Sequence, residues 1–115
     1  MIIEHSEEVE AKKIEVEGVE GVYKQRLLTS EKGAPNFTMR KFTVEKGGFT
    51  FFHEHDFEHE VYVLEGEGVA RKKDEEIKIK AGDAILVSPG EVHQFVNRGE
   101  NEFVFLCLIP NDAQL

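Results

Sequence analysis

His53-Glu54-His55-Asp56-Phe57-Glu58-His59-Glu60 and Ser88-Pro89-Gly90-Glu91-Val92-His93 are the two stretches that decide how this chain reads. Together they hold four of its five histidines. Side chains at i and i+2 of a strand point to one face, so His53 and His55 can aim both imidazoles at one point. A third histidine lies four residues on, and a fourth follows a Pro-Gly turn. Neutral imidazole is a common ligand for zinc, copper, iron and nickel. A lone His-x-His on a polar strand is more often chance. Two further histidines and a glutamate beside the pair favour a metal site inside a β-barrel.

Working outward, short β-like runs recur between glycine turns: Val22 to Leu28, Phe37 to Val44, Phe49 to His53, His59 to Glu65, Val69 to Lys73, Glu76 to Ile79, Ala84 to Val87, His93 to Asn97 and Phe103 to Ile109. Many are β-branched or aromatic, and several alternate, as in Ile77-Lys78-Ile79-Lys80. Turns are expected at residues 31–36, 46–48, 65–68, 81–83 and 97–101. No long helical apolar stripe interrupts them. Such a series predicts an all-β sandwich or barrel.

The 115 residues fit one domain, with 40% hydrophobic residues to fill one core. The net charge of -9 repels a phosphate backbone, so no nucleic-acid partner is expected. No apolar run reaches membrane-spanning length, and the first residues lack a secretory signal pattern; a cytoplasmic protein without a membrane partner is the expectation. Cys107 is the only cysteine, which rules out an intrachain disulfide.

The motif spacing resembles the cupin superfamily. The first motif appears as Gly47, His53-Glu54-His55, Glu60 and Gly66; the second as Gly82, Ser88-Pro89-Gly90, His93 and Asn97. Ser88 stands where the family usually has Pro, with Pro89 beside it. Residues 35–110 are similar to the small single-domain cupins with four histidine ligands, several of them manganese-binding. The resemblance implies a double-stranded β-helix, the cupin jelly-roll barrel, as one domain over residues 1–115. The strands within residues 1–30 would extend the sheet or a homodimer.

Strand periodicity leaves the third ligand open. His59 and Glu60 are neighbours and face opposite sides of a regular strand, and neither face is clearly more apolar. The subgroup resemblance implies His59, with Glu60 orienting a ligand or facing solvent. The implied set is His53, His55, His59 and His93 around one divalent ion: manganese first, with iron, zinc, nickel or copper as alternatives. Four protein ligands on a six-coordinate ion leave two positions open, which resembles oxygenase geometry more than a closed structural site.

Phe105 and Cys107 share one face of the last strand with Phe103 and Ile109. Plain core packing is one expectation for them; the resemblance implies that Phe105 and Cys107 line a cavity beside the metal and bind substrate. Arg40 interrupts the run Phe37 to Val44 and reads most simply as a solvated strand charge; the resemblance makes it a candidate for binding an anionic group bidentately in the pocket. The expected function is a metal-dependent enzyme of oxygenase type on a small molecule. The alternatives are a Lewis-acid isomerase or lyase and a non-catalytic module binding a small ligand or metal.

Overall fold

The alternation seen in the sequence becomes a curled, wholly antiparallel sheet in the computed structural model, which describes residues 1–113. The strands are β1 (Lys12–Lys13), β2 (Glu20–Leu28), β3 (Phe37–Phe49), β4 (His59–Glu65), β5 (Glu67–Arg71), β6 (Glu76–Lys80), β7 (Ala84–Val87), β8 (Gln94–Val96) and β9 (Phe103–Pro110). Two single-turn 3-10 segments, Ser6–Glu8 and Ser30–Lys32, are the only helical pieces among the described residues. Hydrogen-bonded neighbours run β6-β5-β8-β3-β9-β4-β7, with β2 on the other edge of β3 and β1 on β2. This is a jelly-roll half-barrel whose concave side carries the core.

The long strand β3 joins the two halves. Its first part pairs with β9, from Phe37 opposite Pro110 to Val44 opposite Phe103. Its last residue, Phe49, pairs with Val96 of β8 instead. The expected turn at 46–48 is therefore a bulge within one strand. Two steps along β2, from Glu20 to Val22, face five along β3, from Phe49 to Val44. Gly48 sits so close to Glu20 O that an added Cβ would come within 2.6 Å of it, so only glycine fits this crossing. Beyond the bulge, the expected strand Phe49 to His53 is a broken ladder. Thr50 N donates to Phe95 O, and His53 and His93 exchange both backbone hydrogen bonds. Similarly, the expected turn at 65–68 contracts to Gly66, at φ 78°, between β4 and β5.

The inner faces follow period two. Thr38, Arg40, Phe42 and Val44 of β3 are buried, as are His59, Val61 and Val63 of β4. Phe105 is the hub of the core. Its ring centroid lies 5.4 Å from Phe42, 5.2 Å from Phe95 and 5.2 Å from Phe103. Each such pair contributes about 0.5–1.5 kcal/mol beyond area burial. The N-terminal strand β2 packs Val22, fully buried, into this same core. No helix of the described residues is long and apolar enough to cross a membrane.

Candidate metal centre

The four histidines come from three elements. His53 and His55 follow the end of β3, His59 opens β4, and His93 precedes β8. The two-way backbone bridge between His53 and His93, at 3.1 and 2.9 Å, holds the two chain segments side by side. Gly90 N donates to His55 O at 2.7 Å and ties the Pro-Gly turn to the same place. The turn itself requires glycine, because Gly90 has φ 78°. The Ser-for-Pro departure from the family pattern leaves this turn intact, and Ser88 N finds an acceptor in Glu91 Oε1 at 3.1 Å.

The rings converge. Their centroids lie between 4.8 and 5.2 Å apart for His53–His55, His53–His93, His55–His59, His55–His93 and His59–His93. His53, His55 and His93 each present a ring nitrogen within 4.8 Å of the others, a group of three that could hold a metal ion. His59 joins through His93, Nε2 to Nε2 at 3.1 Å, while its Nδ1 lies 3.0 Å from Cys107 Sγ. Alternation along β4 turns His59 inward, 6% exposed, and leaves Glu60 in solvent. Glu60 pairs with Leu86 and Leu108 on the outer face, away from the cluster.

Two observations match this group to a metal ion. His55 Nε2 is buried and has no hydrogen-bond partner, a costly state for an imidazole nitrogen unless another group meets its lone pair. Backbone carbonyls also hold the far nitrogens: His55 Nδ1 is 2.8 Å from Phe57 O, and His93 Nδ1 is 2.8 Å from Glu91 O. With Nδ1 as the donor, His55 Nε2 is left as a free lone pair and His93 Nε2 as a lone pair facing His59 Nε2. This outer hydrogen bond is the usual device for orienting a metal-ligating histidine. Aromatic packing braces two rings further. Phe57 stacks on His55 at 4.0 Å and Phe51 on His53 at 5.5 Å.

Burial favours the neutral imidazole at His53, His59 and His93. Burial, with His93 and His55 as neighbours, pulls the pKa of His53 down to about 4 and that of His59 to about 3. Burial lowers His93 too. These three rings are thus held towards the form that coordinates a cation.

Above the cluster is a cavity of about 250 Å³ with mostly apolar walls. Phe42, Phe95 and Phe105 line it, and Cys107 and Arg40 reach it as well. Phe105 and Cys107 belong to the core and also border this cavity. Each is 2% exposed within the core, and each touches the cavity. Arg40 lies opposite Cys107 in the β3–β9 register and donates from Nη2 to Cys107 Sγ at 2.9 Å. Lys24 was not singled out in the sequence, yet it also lines this cavity. The available signal was its position two residues after Val22, on the inward period of β2. A larger hollow of about 620 Å³ lies against β5 and β6, but it is edged by the Arg98–Glu76 ion pair and holds none of the histidines.

Comparison with known proteins agrees with this architecture. Residues 40–109 match the cupin domain family. The chain is 29% identical over 112 residues to an oxalate-binding protein of Thermotoga maritima, covering 95% of this chain and 93% of that one. It superposes on the polyketide cyclase RemF of Streptomyces resistomycificus with a TM-score of 0.93 at 30% identity, over 100% of this chain and 82% of the other. A predicted oxalate decarboxylase of T. maritima gives a TM-score of 0.84 at 29% identity, over 95% of this chain and 98% of that one. With the matched residues spanning both histidine stretches and most of the barrel, the chain belongs to the cupin superfamily.

Proposed function

We propose that this cupin is a metal-dependent enzyme acting on a small, largely apolar molecule. The observation that carries the reading is the orphaned, buried Nε2 of His55, set in a cluster of imidazoles beneath an apolar cavity. His53, His55 and His93 would hold one divalent ion, with His59 as the fourth ligand. Manganese is the first choice, on the family resemblance. A bound ion supplies Lewis acidity towards a substrate oxygen and, if redox-active, electron exchange with dioxygen. The chain's own residues do the rest. Phe42, Phe95 and Phe105 exclude water and hold the apolar body of the substrate. The carbonyls of Phe57 and Glu91, and the sulfur of Cys107, keep the imidazoles turned inward.

Among the reaction types this site admits, Lewis-acid polarisation of a carbonyl comes first. The similarity to a polyketide cyclase over the full chain supports it. The oxygenase type, expected from four imidazoles with open coordination positions, is the second reading. A binding module is the third, and the oxalate-binding relative supports it. Metal analysis of natively expressed protein comes first as a test. It is followed by turnover of carbonyl-bearing aromatic substrates by the zinc, manganese and iron forms, with and without air. Equal anaerobic turnover by the zinc form is the expected result. Turnover confined to iron or manganese in air would transfer the assignment to an oxygenase. Tight binding without turnover in any form would leave the binding module.

A further inference from the structure

Arg40 is 5% exposed, deep in the concave face. A guanidinium cannot shed its charge in a protein and carries five N–H donors. Burying such a charge without an anion is expensive. Among the described residues, none of the ion pairs includes Arg40 or Lys24. No Asp or Glu lines the cavity they share, although the chain has Asp+Glu 23 against Lys+Arg 14. Among the described residues, the only hydrogen bond from Arg40 goes to Cys107 Sγ, and its buried Nε has no partner. Cys107 does not neutralise it. A thiol sulfur is only a weak hydrogen-bond acceptor and brings no carboxylate-like charge to the pair. The face of Phe42, 4.9 Å from the guanidinium carbon, gives partial relief but no negative charge. Lys24 stands opposite Phe42 in the β2–β3 register, two residues along from Arg40, so both cations look into one apolar chamber.

We propose that Arg40, seconded by Lys24, forms a carboxylate-binding subsite, so that the substrate is a small aromatic or similarly apolar acid. The inference rests on the enzyme reading above for the word substrate, but not for the binding itself. A carboxylate matches the planar guanidinium fork, and the Nε edge of that fork is the part left unpaired. The apolar body follows from Phe42, Phe95 and Phe105. The size follows from the cavity. At about 250 Å³ it falls below the roughly 300–1,000 Å³ typical of drug-sized ligands, and suits a body of about one ring. Position also fits. Only Cys107 Sγ separates Arg40 Nη2, at 2.9 Å, from His59 Nδ1, at 3.0 Å. A carboxylate on Arg40 thus sets the rest of a short molecule against the histidine cluster.

The test is calorimetric titration of the full chain with benzoate and with its neutral analogue benzamide, using both metal-free and zinc-loaded protein. Benzoate is expected to bind at least tenfold more tightly than benzamide. Arg40→Met should erase that preference, Arg40→Lys should keep part of it, and Lys24→Met should weaken benzoate severalfold. Metal content in all three variants should match the wild type. Equal affinity for acid and amide, or binding of neither at millimolar concentration, would overturn the subsite. So would unchanged benzoate affinity in Arg40→Met and Lys24→Met. Should Arg40→Met fail to fold, the benzoate–benzamide ratio in the wild type and in Lys24→Met still decides. No turnover is read, so a failure of the enzymatic assignment appears as benzoate binding without catalysis, a separate outcome.

Discussion

Acidification should destabilise the metal-free protein through His59 by an amount that can be worked out. An unfolded chain protonates histidine near pH 6.5. In the folded chain, burial and the adjacent imidazoles hold that event down at about 3. The folded pKa lies below the unfolded one, so between the two the unfolded state binds the extra proton and stability falls with pH. Above pH 6.5 the penalty is absent; it grows down to about pH 3 and then stops growing. At pH 4.5 the window crossed is about two pH units, and at about 1.4 kcal/mol each His59 costs about 2.7 kcal/mol. His53, held at about 4, adds in the same direction, but its half-open ring is screened by solvent and adds less. Carboxylates also titrate there, so the assay is comparative. Urea midpoints are measured at pH 7 and pH 4.5 for the metal-free wild type and for His59→Asn, which has no proton to gain. The wild type should lose about 2–3 kcal/mol more than the variant over that interval. Parallel losses in the two proteins would refute the argument that His59 is held neutral by its surroundings.

The remaining expectations follow from other parts of the barrel. His53→Ala, His55→Ala and His93→Ala should each abolish stoichiometric divalent metal by elemental analysis, and His59→Ala should lower occupancy, whereas Glu60→Ala should retain it; full metal in His59→Ala with loss in Glu60→Ala would reverse the ligand assignment. Asn97→Ala should cost about 2–4 kcal/mol by chemical denaturation, because this fully buried side chain donates to Val44 O and Asn101 O and accepts from Gly99 N, at about 1 kcal/mol per hydrogen bond plus the unpaired groups left behind. Gly68→Ala should be destabilising by more than 1 kcal/mol, since its Cβ would lie 2.7 Å from the Phe103 ring and 2.8 Å from Val96 O; an unchanged denaturation midpoint would contradict that crowding. A homodimer is also expected. Leu86, Tyr62 and Leu64 lie open on the outer side of the sheet, so sedimentation at micromolar concentration should find a species heavier than the 13.1 kDa monomer.

Much of the fold was legible because a half-buried sheet writes its period into the chain. The alternation in His59 to Glu65 and Phe103 to Ile109 and the glycines between runs marked strands and their limits to within a few residues. His53 and His55 could be paired from spacing alone, since i and i+2 on extended backbone need no knowledge of the rest of the molecule. The spacing could not assign His59 over Glu60. Both faces of β4 carry apolar residues, and only the packing of Val61 against Cys107 and Val63 against Phe105 shows which face is the interior. Nor was the continuity of β3 through Gly47 and Gly48 readable, because glycines that usually mark a turn here permit a bulge, and the choice depends on a partner strand far away in sequence. The surroundings of Arg40 belong to tertiary structure in the same way. A lone arginine in a strand reads as a solvated charge until β9 sets Cys107 opposite it and β2 brings Lys24 alongside. Local geometry determined where the imidazoles could point; long-range strand register decided what they point at.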